Sequence, residues 1–342
     1  MTSELLARPE TADPPVGASR HGGTLLGIVF AATGMACVGS SVAVSAAITD
    51  APLFTLQAVR YALAALLLLA VARVTGWRVP LPHGREWLWL AGVATSGLVL
   101  FNIGVVRGVA HAEPAVIGVA VAAVPMLLAV VPAIATRTLP ARSIIIGAMV
   151  VTTGAVLVEG FGRTDAAGVG YALLVLVCEA GFTLLAIPVL PRLGAFGVSF
   201  HSVWMATVGM AVIGILCEGP AAVTTLDTVD LLAALHLAVV VTTLAFLLWF
   251  TAVKRLGSGR AGLLTGVVPV TAAALGVPLH GSVPGPMVWL GTAVVAVGLV
   301  IGLSERRRRR GNTPPAAERF SRAGSSLPGR GWPRRPRHAA TR

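Results

Sequence analysis

The sequence predicts an all-α membrane protein with ten transmembrane helices, arranged as two inverted repeats of five helices each. The composition is the first reason: 56% of the residues are hydrophobic, only 12% are charged, and the mean hydropathy is +0.84. Such values lie far outside the range of soluble domains. The other two reasons are a series of long apolar runs and a repeat that relates the two halves of the chain.

Ten apolar runs are long enough to span a bilayer, which takes about 20 residues in a helix. They cover roughly residues 25–48, 53–73, 88–109, 114–136, 142–160, 167–188, 196–217, 231–252, 261–280 and 286–303. The strands of a membrane β-barrel are shorter and alternate in polarity, whereas these runs are continuous. We therefore expect helices.

The repeat is clearest where Gly118–Pro125 (GVAVAAVP) matches Gly262–Pro269 (GLLTGVVP), 144 residues later. The same offset matches Gly147, Val150, Val151, Gly154 and Val156 to Gly291, Val294, Val295, Gly298 and Val300. Because each copy holds an odd number of spans, the two copies must enter the bilayer in opposite directions. Inverted repeats of this kind are typical of transporters, whose substrate site lies between the repeats near the bilayer midplane.

Lys and Arg residues concentrate in alternate loops. With both termini in the cytoplasm, the outer loops hold only Arg107 and Arg163, and the remaining loop Lys and Arg residues face inward. This bias sets the orientation of most membrane proteins. We therefore expect a multi-pass protein of the cytoplasmic (inner) membrane with both termini on the cytoplasmic side.

The chain divides into four parts by composition. Residues 1–23 form a polar cytoplasmic tail, residues 24–160 the first repeat, residues 166–303 the second, and residues 304–342 a basic cytoplasmic tail. The last part is too poor in apolar residues to fold alone, so we expect it to be disordered. Twelve of the 26 Lys and Arg residues lie after Gly302, so the placement of the net charge of +12 argues against a nucleic-acid-binding domain. The basic tail either fixes topology only or also adheres to anionic membrane lipid.

Residues 241–302 resemble the second repeat of the EamA-type transporters of the drug/metabolite transporter superfamily. The shared features are an aromatic-rich helix that ends in Lys254-Arg255-Leu256-Gly257, Pro269 in the next helix, and the pair Gly291 and Gly298. The first half matches more loosely, and the resemblance covers roughly residues 25–303. It implies ten helices in two repeats and a secondary transporter that exports a small metabolite or drug-like solute.

The sequence departs from that family at one pair of positions. Family members often carry Gly-Glu after the proline-containing helix of each half, and here those places hold Arg137-Thr138 and Gly281-Ser282. The glutamate is thus missing at Thr138 and Ser282. Since both positions lie at membrane ends, we expect transport to persist, but the substrate of better-matched relatives is not transferable.

Glu179 is the leading candidate for function because it lies near the middle of the predicted sixth span. A carboxylate at that depth costs at least about 2.5 kcal/mol on insertion scales and usually faces a cavity or a partner. Two roles fit: a site that alternates between protonated and ionised forms and so couples transport to protons, or a counter-charge for a cationic substrate. The alternative is a structural carboxyl.

Two basic residues occupy related positions in the repeats. Arg60 lies about 10 Å inside the second span at ~1.5 Å of rise per residue, where it either binds a carboxylate substrate or anchors its own helix. His201 is its counterpart in the second repeat. Basic groups at matching depth on opposite sides suit gates, although His201 fits a structural role better.

Four further polar or aromatic residues complete the candidate list. Ser40 and Ser41 in the first span either satisfy backbone carbonyls or offer hydrogen bonds to a solute. Asn102 in the third span joins helices or contacts substrate, since an amide needs several partners. Trp249 shares a helix face with two phenylalanines, and such a stripe is more often core or lipid contact than a binding wall.

Pro125 and Pro269 are matched by the repeat in the fourth and ninth spans. A proline removes one helical hydrogen bond and bends or interrupts its helix. Interruptions at corresponding positions of both halves are the best sequence indication of where a transporter binds its substrate. We therefore expect this pair to act as hinges.

The sequence shows no nucleotide-binding loop and no metal-binding helix motif, so we expect no cofactor, no metal and no catalytic residue. A passive facilitator or channel would have nearly the same sequence and stays an alternative. An intramembrane enzyme is the weaker alternative, because the spans hold no cluster of acidic and histidine side chains. The expected partners are a small-molecule substrate and membrane lipid, and a homodimer is left open.

Overall fold

The computed structural model describes residues 18–45, 51–108, 110–160, 162–280 and 285–304. Within these residues the chain forms ten helices that are long and apolar enough to cross a membrane, and no β-strand beyond one isolated bridge. The predicted all-α class with ten transmembrane helices is confirmed. The segments predicted as tails, apart from residues 18–23 and 304, and the position of Ser282 lie outside the described residues.

The first repeat contains helices α1 to α5. They are α1 (Ala18–Ser45), α2 (Leu53–Thr75), α3 (Glu86–Gly108), α4 (Pro114–Ala122 and Val124–Ala135) and α5 (Arg142–Glu159). The second repeat contains α6 to α10. They are α6 (Ala166–Leu184), α7 (Leu190–Cys217), α8 (Thr228–Leu256), α9 (Ser258–Leu263 and Val267–His280) and α10 (Pro286–Leu303).

Helix α6 ends earlier than the apolar run predicts, at Leu184 rather than near residue 188. Pro188 explains the difference, because it has no N–H to bond the carbonyl of Leu184 and its ring crowds that oxygen. Helix α7 conversely begins at Leu190, before the predicted residue 196, and bends at Gly194, which has φ 67°. The predicted span omitted this early part of α7 because the charged Arg192 lowers its hydropathy.

Helices α3 and α8 each contain a π-helical stretch at equivalent positions. Ala94–Leu100 in α3 and Leu237–Leu244 in α8 adopt this wider winding, and the repeat offset of 144 residues superimposes most of one on the other. In both, the first amide after the stretch bonds the carbonyl five residues earlier, as from Phe101 to Ser96. Such stretches are rare and occur frequently at functional sites.

Helices α4 and α9 are interrupted just before their matched prolines. Helix α4 breaks at Ala123, two residues before Pro125. Helix α9 tightens to a 3₁₀ turn over Leu264–Gly266, directly before the segment that contains Pro269. A proline has no N–H to continue the hydrogen-bond ladder, so the preceding turn is left free to change its winding. Whether these points act as hinges stays a prediction.

Helices α5 and α10 are the last helices of the two repeats, and they pack against each other in opposite directions. A Cβ built on Gly147 would lie 2.9 Å from the carbonyl oxygen of Gly298, and one built on Gly154 would lie 2.8 Å from that of Gly291. Because Gly147 corresponds to Gly291 and Gly154 to Gly298, these two contacts are related by the repeat. An approximate two-fold axis therefore passes between α5 and α10, as inverted repeats require.

The other helix contacts follow the same two-fold relation. Helix α1 packs against α8 and α9, and its counterpart α6 packs against α3 and α4. Helix α2 packs against its own counterpart α7, and α4 against α9. The axis of symmetry thus runs through the α2–α7, α4–α9 and α5–α10 contacts, and the first helix of each repeat packs against the other repeat.

Arg137 follows helix α4 in the left-handed conformation, with φ 52°. Its N–H donates to Ile134 O at 3.1 Å, and the N–H of Thr138 donates to Ala133 O at 2.9 Å. This is the pattern in which helices end on a glycine. Glycine adopts this conformation freely, whereas an L-residue with a side chain is strained in it, so Arg137 is conformationally strained.

We expect Arg137→Gly to stabilise the protein by about 1 kcal/mol, because a left-handed conformation costs an L-residue roughly 1–2 kcal/mol. The melting temperature of the purified protein in detergent measures this. Arg137→Ala is the matched control, since it removes the same exposed charge and keeps the strain. An equal rise in both variants would assign the effect to charge instead.

Candidate substrate and coupling site

Helix α2 carries a group of polar side chains on its inward face. Gln57 and Tyr61 are buried there, and Arg60 lies between them, partly accessible. Arg60 shares this face with Leu56 and Ala64, which are also buried. The accessible part of the arginine therefore faces the space between helices, away from the lipid side of α2.

Arg60 is oriented by two neutral acceptors. Its Nε donates to Thr242 Oγ1 in the π-helical stretch of α8 at 2.8 Å, and its Nη1 donates to Gln57 Oε1 at 3.2 Å. The guanidinium also lies over the ring of Tyr61, 5.2 Å from the centroid. Across the described residues, no Asp or Glu side chain forms an ion pair with Arg60.

Asn102 joins this group to the π-helical stretch of α3. Its Oδ1 accepts from Gln57 Nε2 at 2.9 Å, and its Nδ2 donates to Tyr61 Oη at 3.1 Å and to Leu98 O at 2.7 Å. Both amide hydrogens and the carbonyl are thus engaged within the protein. Of the two predicted roles for Asn102, the structure favours the one that joins helices, and the amide positions Gln57 for Arg60.

A carboxylate from another helix fixes the start of α2. Glu218 at the end of α7 accepts hydrogen bonds from the backbone amides of Phe54 and Thr55, both at 2.8 Å, and from Thr55 Oγ1 at 2.7 Å. A negative group is stabilised at a helix N-terminus, where amides have no helical acceptor. This cap holds α2, and with it Arg60, against α7.

Ser40 and Ser41 of α1 form different kinds of hydrogen bond. Ser41 Oγ donates to Val38 O at 2.7 Å, within its own helix. Ser40 Oγ donates to Cys37 O at 2.6 Å and lies 3.1 Å from His236 Nε2 on α8. Since the only hydroxyl hydrogen of Ser40 is used, its oxygen accepts from His236. Ser40 therefore links α1 to α8, whereas Ser41 satisfies its own backbone.

Glu179 lies on the inward face of α6, where it is half-buried. Val175 and Thr183 on the same face are buried, whereas Leu173 and Val177 on the opposite face are 56% and 63% exposed. Its position differs from the predicted mid-span, because α6 ends little more than one turn beyond it. Glu179 thus lies about 20 Å from the first residue of α6 at ~1.5 Å per residue.

Glu179 has no hydrogen-bond or ion-pair partner in the part of the chain that the structure describes. Neither a hydrogen-bond donor nor a basic side chain contacts its carboxyl group. A carboxyl group inside a membrane domain is costly, and it usually pairs or faces a water-filled cavity. An inward-facing carboxyl without a protein partner is thus free to bind a proton or a solute.

His201 and Trp249 are both held by the protein. His201 is 3% exposed; its Nδ1 accepts from Trp204 Nε1 at 3.2 Å, so its Nε2 donates to Pro80 O at 3.0 Å. These bonds match one neutral tautomer and tie α7 to the α2–α3 loop. Trp249 is also 3% exposed and donates to Thr183 Oγ1 at 3.0 Å. The structure favours a structural role for both.

Four residues in these contacts were not predicted from the sequence: Gln57, Tyr61 and Thr242 in the network around Arg60, and His236 beside Ser40. Gln57 and Arg60 lie three residues apart on one helix face, and that spacing could have indicated the pair. Thr242 and His236 had no comparable signal, because threonine and histidine in an apolar run usually satisfy their own helix. Their partners lie on α1 and α2, far away in sequence.

Two loops at one end of the bundle are joined by paired charges. His111 Nδ1 lies 3.0 Å from Asp165 Oδ2, and Arg163 Nε donates to Glu113 Oε1 at 2.8 Å. Backbone bonds between the same segments form the isolated bridge from Ala112 to Thr164. The Arg163 guanidinium lowers the pKa of Glu113, and the Gly168 amide, followed by His111, lowers the pKa of Asp165 below 3.8. This pairing joins the α3–α4 loop to the segment that links the two repeats.

Because folding lowers the pKa of Asp165, its stabilising effect is complete above 3.8, the ordinary value, and is lost as the pH falls through the lower folded-state pKa. We therefore expect Asp165→Ala to lower the melting temperature at neutral pH and to have progressively less effect in acid below 3.8. Thermal melts of both proteins across that range measure the difference. If the two melting temperatures differed by the same amount at every pH, the stabilisation would not come from the ionised Asp165 carboxylate.

Of the two positions where the resemblance predicts a glutamate, Thr138 lies among the described residues. Thr138 Oγ1 lies 2.8 Å from Thr136 Oγ1 at the end of α4, where both are exposed. Ser282 lies outside the described residues. Among the residues that the structure describes, no three His, Cys, Asp or Glu side chains gather where they could hold a metal ion.

An all-helical domain of ten membrane-spanning helices, built from two repeats around a two-fold axis, has the architecture of a membrane transporter. The EamA-like transporter family model matches residues 25–160 and 166–303, which is most of the chain. The chain therefore belongs to the EamA-like transporter family, and it is a multi-pass membrane transporter.

Two known proteins are similar to this chain over nearly their whole length. The "Uncharacterized transporter YetK" of Bacillus subtilis (strain 168) is 27% identical over 308 residues, which cover 85% of this chain and 90% of the relative. A solved crystal structure matches with a TM-score of 0.67 at 18% identity, covering 82% of this chain and 97% of the other. The second likeness concerns the fold alone.

Proposed function

We propose that this transporter exports a small solute across the cytoplasmic membrane in exchange for protons. The observation that carries this proposal is Glu179, an inward-facing carboxyl group with no partner among the described residues. The positive-inside bias of the loops supports placing both termini in the cytoplasm. The sequence contains no nucleotide-binding loop, so an ion gradient or exchange of solutes must supply the energy for uphill transport.

Protonation of Glu179 changes the charge of the space between the helices. An ionised carboxylate there attracts a cationic group or a proton, whereas a protonated one is neutral and is tolerated in a dry, closed site. In an exchanger, the proton and the solute occupy the protein in turn. Glu179 would then release its proton on the cytoplasmic side as the solute binds and take up a proton from the outside after the solute leaves.

The helix interruptions support an alternating movement around such a site. By the repeat offset of 144 residues, Ala123 in α4 corresponds to Val267, directly after the Leu264–Gly266 turn of α9. Helix α4 also packs against α9. Rocking of one repeat against the other requires a few points where the backbone changes its winding. These two breaks, next to Pro125 and Pro269, are the points that we propose.

Transport by purified protein in liposomes tests this function. A panel of radiolabelled metabolites is offered to vesicles with an acidic lumen, to vesicles without a pH gradient, and to vesicles with a protonophore. The proposal predicts that a solute accumulates above its external concentration only when the pH gradient is present. Equal, non-accumulating entry in all three would identify a facilitator, and chemical conversion of a solute would identify an enzyme.

A further inference from the structure

We propose that the transported solute carries a carboxylate group and that Arg60 binds it. This inference rests on the proposed function and names the class of its substrate. It starts from a charge that the protein leaves uncompensated. Arg60 is inward-facing and partly accessible, and within the described residues it has neutral hydrogen-bond partners but no ion pair.

The donors of Arg60 are only partly used. A guanidinium has five N–H groups in a planar fork. The described contacts engage Nε with Thr242 and one hydrogen of Nη1 with Gln57. Nη2 and the second hydrogen of Nη1 remain for a ligand. An arginine fork of this kind matches the two oxygens of a carboxylate and binds it bidentately.

The surrounding network holds the guanidinium in one orientation. Gln57 presents its carbonyl to Arg60 because its amide is bound to Asn102, and Asn102 is fixed in turn by Tyr61 and Leu98. Tyr61 lies beneath the guanidinium and is 1% exposed. A simple membrane anchor needs no such support from three side chains. A preorganised cation loses less entropy when it binds an anion.

The cluster lies where a substrate site of inverted repeats is expected. Arg60 bridges α2 in the first repeat to Thr242 in the second, and Asn102 and Thr242 belong to or adjoin the matched π-helical stretches. A second basic side chain, His236, lies at the α1–α8 contact, where Ser40 is its only hydrogen-bond partner in the described residues. Within the described residues, neither Arg60 nor His236 forms an ion pair with an acidic side chain.

The same vesicles test this inference with pairs of solutes that differ only in the charged group. Each carboxylate in the panel, whether a simple acid or an amino acid, is compared with its primary amide. We expect the wild type to transport the carboxylate and to reject the amide. We further expect Arg60→Gln to lower the apparent affinity for the carboxylate at least about tenfold, because hydrogen bonds to charged groups contribute about 1.5–3 kcal/mol.

Two variants serve as controls. Arg107→Gln removes an exposed arginine at the end of α3 and should transport the carboxylate like the wild type. Arg60→Lys keeps the charge but not the fork, and we expect an intermediate affinity. If Arg60→Gln does not fold, two measurements still test whether Arg60 recognises the carboxylate. They are the affinity of Arg60→Lys and the inhibition of wild-type carboxylate transport by the amides.

The outcomes separate this inference from the function on which it rests. Equal transport of acids and amides by the wild type, or an unchanged preference in folded Arg60→Gln, would overturn the carboxylate assignment while leaving proton-coupled export in place. Absence of accumulation of every solute under the pH gradient would overturn the proposed function itself. Rejection of the amides by the wild type, together with loss of carboxylate transport in folded Arg60→Gln, supports the carboxylate assignment.

Discussion

Replacing Gly154 with leucine is expected to prevent the two repeats from assembling, so that little folded protein is recovered. A Cβ at this position would lie 2.6 Å from the backbone nitrogen of Val295 and 2.8 Å from Gly291 O. Both atoms belong to the backbone of α10, which cannot move aside as a flexible side chain can. Overpacking of a well-packed core commonly costs about 1–3 kcal/mol, and a whole leucine against backbone should exceed that.

A second variant, taken from the repeat, and a control at an open position complete this test. Gly298→Leu should be equally damaging, because Gly298 is the counterpart of Gly154 and its Cβ would lie 2.7 Å from Val151 N. Gly170→Leu should fold normally, since nothing lies within 4 Å of a Cβ built there. Size-exclusion profiles of fluorescent fusions measure the folded fraction. Normal recovery of Gly154→Leu would show that α5 and α10 do not pack closely.

Glu179→Gln is expected to abolish accumulation of solute against its gradient while exchange of solute down its gradient survives. Glutamine keeps the shape and hydrogen-bonding capacity of glutamate but cannot ionise. The variant should insert and fold normally, because a neutral amide is less costly in the bilayer than a charge. The pH dependence of any remaining flux should flatten as well. Accumulation and counterflow in the same vesicles measure the two activities.

Glu159→Gln is the matched control for this variant. Glu159 is another half-buried carboxyl group in the membrane domain, but it lies at the end of α5 against Gly118. We expect it to accumulate solute like the wild type. If Glu179→Gln loses counterflow together with accumulation, Glu179 neutralises a cationic group of the solute instead. If Glu179→Gln leaves both the accumulation and its pH profile unchanged, Glu179 is a structural carboxyl group.

The sequence predicted the number and approximate bounds of the helices because membrane burial depends on local composition. The glycines of α5 and α10 were visible as matched positions, and the repeat offset indicated that they are equivalent. The contact between α5 and α10 could not be predicted, because a sequence repeat shows which helices are equivalent but not whether they pack against each other. The early end of α6 could also have been predicted from Pro188, which cannot donate a helical hydrogen bond.

The hydrogen-bond partners of the candidate residues required the structure. Asn102 and Trp249 each had two open interpretations, and their partners Gln57, Tyr61 and Thr183 come from other helices. The cap that Glu218 gives to α2 joins residues more than 160 positions apart. The π-helical stretches depend on packing between helices, so no residue pattern within either segment marks them.

The central claim is that Glu179 carries the proton that is exchanged for solute, and proton movement tests it directly. Vesicles that contain pyranine as a lumenal pH indicator are prepared with equal pH on both sides, and a transported carboxylate solute is added outside. With the wild type, inward solute flux should drive protons out and make the lumen alkaline. With Glu179→Gln, radiolabelled solute should still enter while the lumenal pH stays constant. Proton movement of wild-type size in Glu179→Gln would contradict the claim.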